Sequence, residues 1–339
     1  MTMRHVVKLL PLLIPGLLWA NEQVGEKPTP PTQEDFLSKS LRAAENTRDV
    51  LSNQVVRMSD YVDSFVGDER AVDEINDSHL QLRQSHVFYE DGSHDQYYTT
   101  RFKLDLPRTN RKLSLVIESE NDQNQINDSE NTTAPATTAP TTQAQGSSVT
   151  PSVQYVVRDN KQWHIRAHLG MQFDNGDPDP TTKLRIRRLF RGDIWNFRIT
   201  ETLFWYESVG EGETTQFDLE RALNPQFFFR ATNKSTWHKE TENFDLLQQF
   251  TLFQDLGSRR LLSYYAAAFG VTEPEKQVTA YALGMNFRQL IHKDWLYMDI
   301  APLALYPVET NFRCTPSITV SLEILIGNTG SKPGSDSKN

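Results

Sequence analysis

Residues 195–208 read WNFRITETLFWYES, and their alternation limits what the chain can become. In an extended backbone successive side chains point to opposite faces. Trp195, Phe197, Ile199, Leu203 and Trp205 therefore share one side, while Asn196, Arg198, Thr200 and Thr202 share the other. A tryptophan stands at each end of the apolar stripe. Ten residues at about 3.3 Å each, tilted by about 40°, cover roughly 25 Å, the height of the apolar band that a membrane-crossing strand must present. One core strand of a soluble sandwich could alternate in the same way, so the rest of the chain has to decide.

Fourteen extended segments recur between His79 and Ile326, each bounded by turn residues, among them 96–106, 162–173, 182–190, 194–206, 277–290, 295–305 and 316–326. Their connections alternate in character. Pro107–Arg111, Asp159–Lys161, Arg191–Asp193, Leu223–Pro225, Asp255–Arg259 and Ile291–Asp294 are short. Those between them are longer and polar, including Asp174–Thr181, Ser235–Glu242 and Pro307–Thr315. An even strand number returns both ends of the segment array to the short-turn side. The shortest segment, 152–158, is marginal for a crossing, and without it and its partner 112–119 the number falls to twelve. The expected fold class is all-β, an antiparallel transmembrane β-barrel of about fourteen strands, preceded by one amphipathic helix.

The flanking segments differ in kind. Residues 1–20 carry Arg4 and Lys8, an apolar run and Ala20, the pattern of a secretory signal, and Pro11 and Pro15 weaken the rival reading as a membrane anchor. Residues 21–31 form a Pro-rich linker. In 32–68, Thr32 is a suitable N-cap, and Leu37, Leu41, Ala44, Leu51, Val55, Met58, Val62 and Phe65 keep a three-to-four spacing up to Gly67. That narrow stripe predicts a periplasmic helix packed on a neighbour, or alternatively a plug in the lumen. Residues 69–78 link it to the barrel, and 327–339 form a polar tail. Residues 120–151 hold almost no apolar side chain beyond Ile126, so an external disordered loop is expected there.

Beyond residue 20 no run of eighteen apolar residues occurs, so no helix is available to span a bilayer. Loss of Arg4 and Lys8 with the leader takes the formal charge from −9 to −11, which disfavours nucleic acid as a partner. Cys314 is the one cysteine and has no partner for an intramolecular disulfide.

Through the leader, the alternating segments KLRIRRLF, WNFRITETLFW and SITVSLEILI, and the turn asymmetry, residues 79–326 resemble Gram-negative outer-membrane β-barrel proteins. The segment DSFVGDE, Asp63–Glu69, is more loosely similar to one found ahead of the barrel in exported proteobacterial proteins, and it implies no activity. The resemblance implies export to the outer membrane, with lipid and the barrel-assembly machinery as partners. Members of the class usually end on an aromatic residue at the close of the last strand, whereas this chain continues through NTGSKPGSDSKN.

Outward apolar stripes leave the opposite stripes to the lumen. Arg101, Lys103 and Asp105 fall there, as do His164, Arg166, His168, Lys183, Arg185, Arg187, Arg198 and Arg230, with the acidic Asp218, Glu220, Asp299 and Glu323 mainly in later strands. Basic and acidic walls facing one another would set a transverse field, although the same charges could simply pair. Trp195 and Trp205 are candidates for a membrane girdle. Glu201 falls on the lipid-facing parity, where a carboxylate is costly, and a bulge that turns it inward is the expected remedy.

No Gly-x-Ser-x-Gly, His-Glu-x-x-His or Gly-rich phosphate loop is present, and His164 and His168 stand about 13 Å apart along one strand, too far to share a metal. No cofactor or metal is expected, and no catalytic residue is assigned. The expectation is a passive conduit for small polar or anionic solutes. A non-conducting scaffold barrel is the alternative, and an enzyme such as a barrel lipase comes third.

Overall fold

The computed structural model describes Val62 and residues 78–327, apart from 107–108, 110–111, 122–146, 161, 175 and 258. Fourteen strands account for nearly all of them: β1 His79–Tyr89, β2 His94–Asp105, β3 Leu113–Asn121, β4 Ser147–Asp159, β5 Trp163–Asp174, β6 Asp177–Arg191, β7 Asn196–Tyr206, β8 Gly210–Asn224, β9 Phe227–His238, β10 Asn243–Asp255, β11 Arg260–Val271, β12 Gln277–His292, β13 Leu296–Pro307 and β14 Thr315–Gly327. A single 3-10 turn, Val308–Thr310, lies between β13 and β14. The sequence helix at 32–68 falls outside the described residues, of which only Val62 has helical backbone there.

Each strand pairs antiparallel with its neighbours in sequence, and β1 closes on β14 from His79↔Gly327 to Tyr89↔Ser317. The barrel has no free edge. Burial follows the two-residue period: in β7, Asn196, Arg198, Thr200 and Thr202 are buried, while Leu203 and Trp205 are exposed. Polar side chains fill the enclosed face and apolar ones the outer face, the reverse of a soluble protein. Leu82, Tyr98, Val153, Leu169, Phe217 and Leu283 are among the large hydrophobic residues exposed on strands around the circumference. A belt of that extent marks a lipid-facing surface rather than an isolated contact patch.

Two segment boundaries differ from the sequence reading. β4 runs over thirteen residues and makes a full crossing, so the twelve-strand alternative is excluded. Most of the stretch Asp174–Thr181 and the first half of Ser235–Glu242 are strand, as Asp174↔Asp177 and Ser235↔Leu246 pairs show. Backbone pairing continues past the apolar band, where side-chain hydrophobicity no longer reports it. Pro178 and Pro180 fit because the β6–β7 ladder begins only at Thr181, so neither ring has to supply a donor toward β7, and the Pro180 carbonyl accepts from Glu207 N at 3.1 Å. Similarly, Ser147–Pro151 belong to β4 rather than to the loop, while residues 122–146 lie outside those described.

Two inward glycines make room for aromatic rings. Gly212 lies opposite Phe204 and Gly284 opposite Tyr265, and a Cβ at either glycine would overlap the facing ring. With fourteen strands about 4.8 Å apart and tilted about 40°, the backbone cylinder is roughly 28 Å across. Eight strands already leave just enough interior for side chains, so this wall cannot fill its own lumen.

Removal of residues 125–143 deletes chain with too little apolar surface to offset the entropy of ordering it. We expect the deletant to retain the heat-modifiable gel mobility of a closed barrel, whereas removal of 120–151 also takes the β3–β4 pairs from Asn121↔Ser147 to Ile117↔Pro151 and should lower the temperature at which that mobility shifts.

Candidate functional site

The enclosed face is the candidate site, and its most unusual feature lies on β5 and β6. Register places Arg166 opposite Arg185, His164 opposite Arg187 and His168 opposite Lys183. Like-charged residues directly across a sheet repel, as Arg166 and Arg185 do, and with Lys183 and Arg187 on either side of them four cations share one strip of wall. Asp159 meets the strip at its lower end, 2.7 Å from His164 Nδ1 and 3.7 Å from an Arg166 Nη. A β-bulge between Val156 and Arg158 brings Asp159 opposite His164. Gln154 shares a hydrogen bond with His168 at 3.2 Å. Arg166, His168, Lys183, Arg185 and Arg187 each take part in further interactions. Above the ladder, His168, Lys183, Ser152, Thr181, Glu118 and Tyr206 border a recess.

Elsewhere the wall is locally neutral. Glu220 accepts from Arg230 Nε at 2.8 Å and meets Arg198 at 3.4 Å, while Asp218 accepts from Gln216 and Thr232. Arg288 donates to Asp299 at 2.8 Å and to Glu323 at 2.6 Å, its guanidinium stacks over Tyr297 at 4.4 Å, and Arg83 lies 3.5 Å from both carboxylates. Arg101 pairs with Glu118 at 2.8 Å, and Lys103 is buried beside it on the inner face of β2. Of the two arrangements open to the inward charges, pairing is the one seen around Glu220 and Arg288, where the acidic residues sit among arginines, while the basic residues of β5 and β6 face one another across the register. Arg83 and Arg288 were absent from the sequence assignment. Their signal was available, because Arg83 shares parity with Gln81 and Arg288 with Asn286.

Trp195 and Trp205 are exposed on the outer face. At the rim carrying both barrel ends, the Arg188 guanidinium stacks on Trp163 at 4.7 Å and Phe190 at 4.4 Å, and that of Arg221 on Trp195 at 5.3 Å. This joins aromatic rings to cations at the level of lipid head groups. Glu201 is a correction. β7 pairs with β6 and β8 without a register shift, so no bulge turns it inward, and it stays on the outer face with Thr215 donating to Oε2 at 2.9 Å.

Among the described residues no cluster of His, Cys, Asp or Glu has metal-binding geometry. The enclosed face presents charged and hydrogen-bonding side chains to the lumen. Its Arg288 cluster also tests the cost of buried charge. Arg288→Met leaves Asp299 and Glu323 without their principal cation and should destabilise the barrel by about 3–5 kcal/mol in urea titrations, whereas adding Asp299→Asn and Glu323→Gln should recover much of the loss.

No protein-family model matches the chain, and no curated protein sequence does. Solved structures do. The CymD monoaromatic hydrocarbon channel is 8% identical, with 78% of this chain and 92% of that one covered, at a TM-score of 0.46. The outer membrane channel DcaP of Acinetobacter baumannii is 8% identical over 74% of this chain and 96% of its own, at 0.41. The KdgM porin in complex with disordered oligogalacturonate is 4% identical over 72% and 98%, at 0.36. Similarity of this degree says nothing about cargo. The closed wall, its apolar exterior, its polar interior and its aromatic rim carry the conclusion that this chain is a β-barrel of the Gram-negative outer-membrane type.

Proposed function

We propose that the protein is an outer-membrane channel for small polar solutes with a preference for anions, exported by the signal in residues 1–20 and inserted by the barrel-assembly machinery. The observation that carries this reading is the β5–β6 ladder: four cations, Arg166, Lys183, Arg185 and Arg187, together with His164 and His168, on one strip of a polar enclosed face. In a confined aqueous space bounded by low-dielectric protein, a local excess of one sign decides which ions enter, whatever the net charge of the chain. Neutral clusters around Glu220 and Arg288 add little to that field, because each balances its own charge.

A second reading, a non-conducting scaffold barrel, is favoured by one observation. Inward side chains are buried nearly everywhere along the wall, Gln154, Asp218 and Glu220 completely. A catalytic reading gains no comparable support.

Reversal potentials in a salt gradient across planar bilayers separate the readings. The channel should be anion-selective, and Arg185→Gln with Arg187→Gln should keep conductance while the anion-to-cation permeability ratio falls about two- to fivefold, as expected if each screened charge contributes roughly 0.2–0.5 kcal/mol. Unchanged selectivity would remove the ladder from the conducting path. Absence of conductance, both in the full chain and in a chain starting at Gly67, would leave the scaffold.

A further inference from the structure

Two parts of the enclosed face are apolar: one gathers Tyr265, Ala267, Ala280, Ala282 and Leu305, and the other lies toward the opposite rim. Phe228 on β9, Phe253 on β10 and Leu261 on β11 lie within the barrel, at 0%, 0% and 2% exposure, with Ala222, Leu290 and Tyr297 packed around them from β8, β12 and β13. All six lie near the rim where the first strand begins and the last one ends. An apolar patch has no use on the wall of a watery lumen, where it costs about 25 cal/mol for each Å² left wet. It is not wet. Val62, which precedes β1 by seventeen residues, is itself 0% exposed and packs against Phe228, Phe253 and Leu261.

A second observation agrees. In a barrel roughly 28 Å across, a wall residue keeps its tip in water unless something covers it. Yet Gln154, Asp218, Glu220, Arg230, Arg288 and Glu323 are no more than 2% exposed, across β4, β8, β9, β12 and β14. Pairing among neighbours accounts for one side of each group and not for the side that faces the barrel axis.

We infer that the chain plugs its own barrel through Val62, which seats in the lumen at the rim of the chain ends with Phe228, Phe253 and Leu261 as its docking site. The sequence supplies the complementary surface: Leu51, Val55, Met58, Val62 and Phe65 recur at helical spacing, so an apolar stripe can continue from Val62 in both directions along one face. Reach is not limiting. Seventeen residues extend up to about 55 Å, twice the barrel's width, and β1 starts at the same rim. Arg230 fits this seat as well, since its guanidinium lies 5.7 Å from the Phe228 ring and 5.5 Å from that of Phe253 while it pairs with Glu220. The patch is thus flanked on the same inner face by a cation that pairs with Glu220.

Docking does not depend on conduction, and the experiment keeps the two apart. In a Cys314→Ser background, Val62→Cys with Leu261→Cys, and separately with Phe253→Cys, is oxidised in the folded, membrane-inserted full chain. An intramolecular disulfide should form with at least one of the two and not with Leu283→Cys on the outer face. Heat-modifiable mobility verifies that each variant folds. Failure of both inward pairs in folded protein, or cross-links only between chains, would overturn the plug. As a second measurement, Val62→Asp should release the segment and raise its cleavage by trypsin at Arg57 or Arg70 at least tenfold without disturbing the barrel, and unchanged cleavage would also overturn it. If the disulfide forms but its reduction, or Val62→Asp, leaves conductance at zero, the plug stands and the channel reading falls. If the full chain conducts freely and no disulfide forms, the reverse holds.

Discussion

A sheet in lipid has no water to satisfy its edge, so the pairing of β1 with β14 is the interaction on which the rest of the structure depends. Eleven consecutive residue pairs, from His79↔Gly327 to Tyr89↔Ser317, convert an open ribbon of fourteen strands into a cylinder with every ladder complete. Closure then assigns all other roles. Once the sheet is a cylinder, one stripe of each strand meets lipid and the other meets the interior, and side chains as different as Phe217 and Asp218 take opposite environments one residue apart.

The interior solves its charge problem in two ways. Around Glu220 and around Arg288, opposite charges on neighbouring strands neutralise one another at hydrogen-bond distance. On β5 and β6 basic residues are set across from each other, each held by further interactions of its own. The first pattern is complete within neighbouring strands. The second gathers one sign of charge on one strip of wall, and this is why the ladder rather than the total charge carries the proposed function.

The apolar patch at the chain-end rim belongs to the same logic. Its wall residues come from six strands, β8 to β13, and no single strand shows more than one or two of them. Val62 gives the patch a purpose, and a wide barrel with a covered interior gives Val62 a reason to be apolar. The proposed channel and the proposed plug are in this way compatible readings of one lumen rather than rival descriptions of the fold.

The two-residue period was legible along the chain because it is local: each strand records its own inside and outside, and 195–208 alone shows both faces. So were the number of strands and the even parity that puts both barrel ends on one rim. The start of β6 was not legible, since Asp177–Thr181 pair through backbone and carry no hydrophobic signal, and at the end of β9 Trp237 stands alone among polar neighbours. Arg83 and Arg288 had the right parity; Arg288 meets Asp299 through the register of the β12–β13 hairpin, whereas Arg83 meets Glu323 only across the β1–β14 seam, which closure sets. Glu201 was misjudged for a related reason, because a bulge is a property of two strands and not of one. By itself the sequence determined alternation, strand count and the composition of each face. Tertiary structure alone decided which charges meet, that the basic residues of β5 and β6 stand opposite one another, and that Phe228, Phe253 and Leu261 converge on Val62, because contacts between distant segments depend on where a closed sheet brings them.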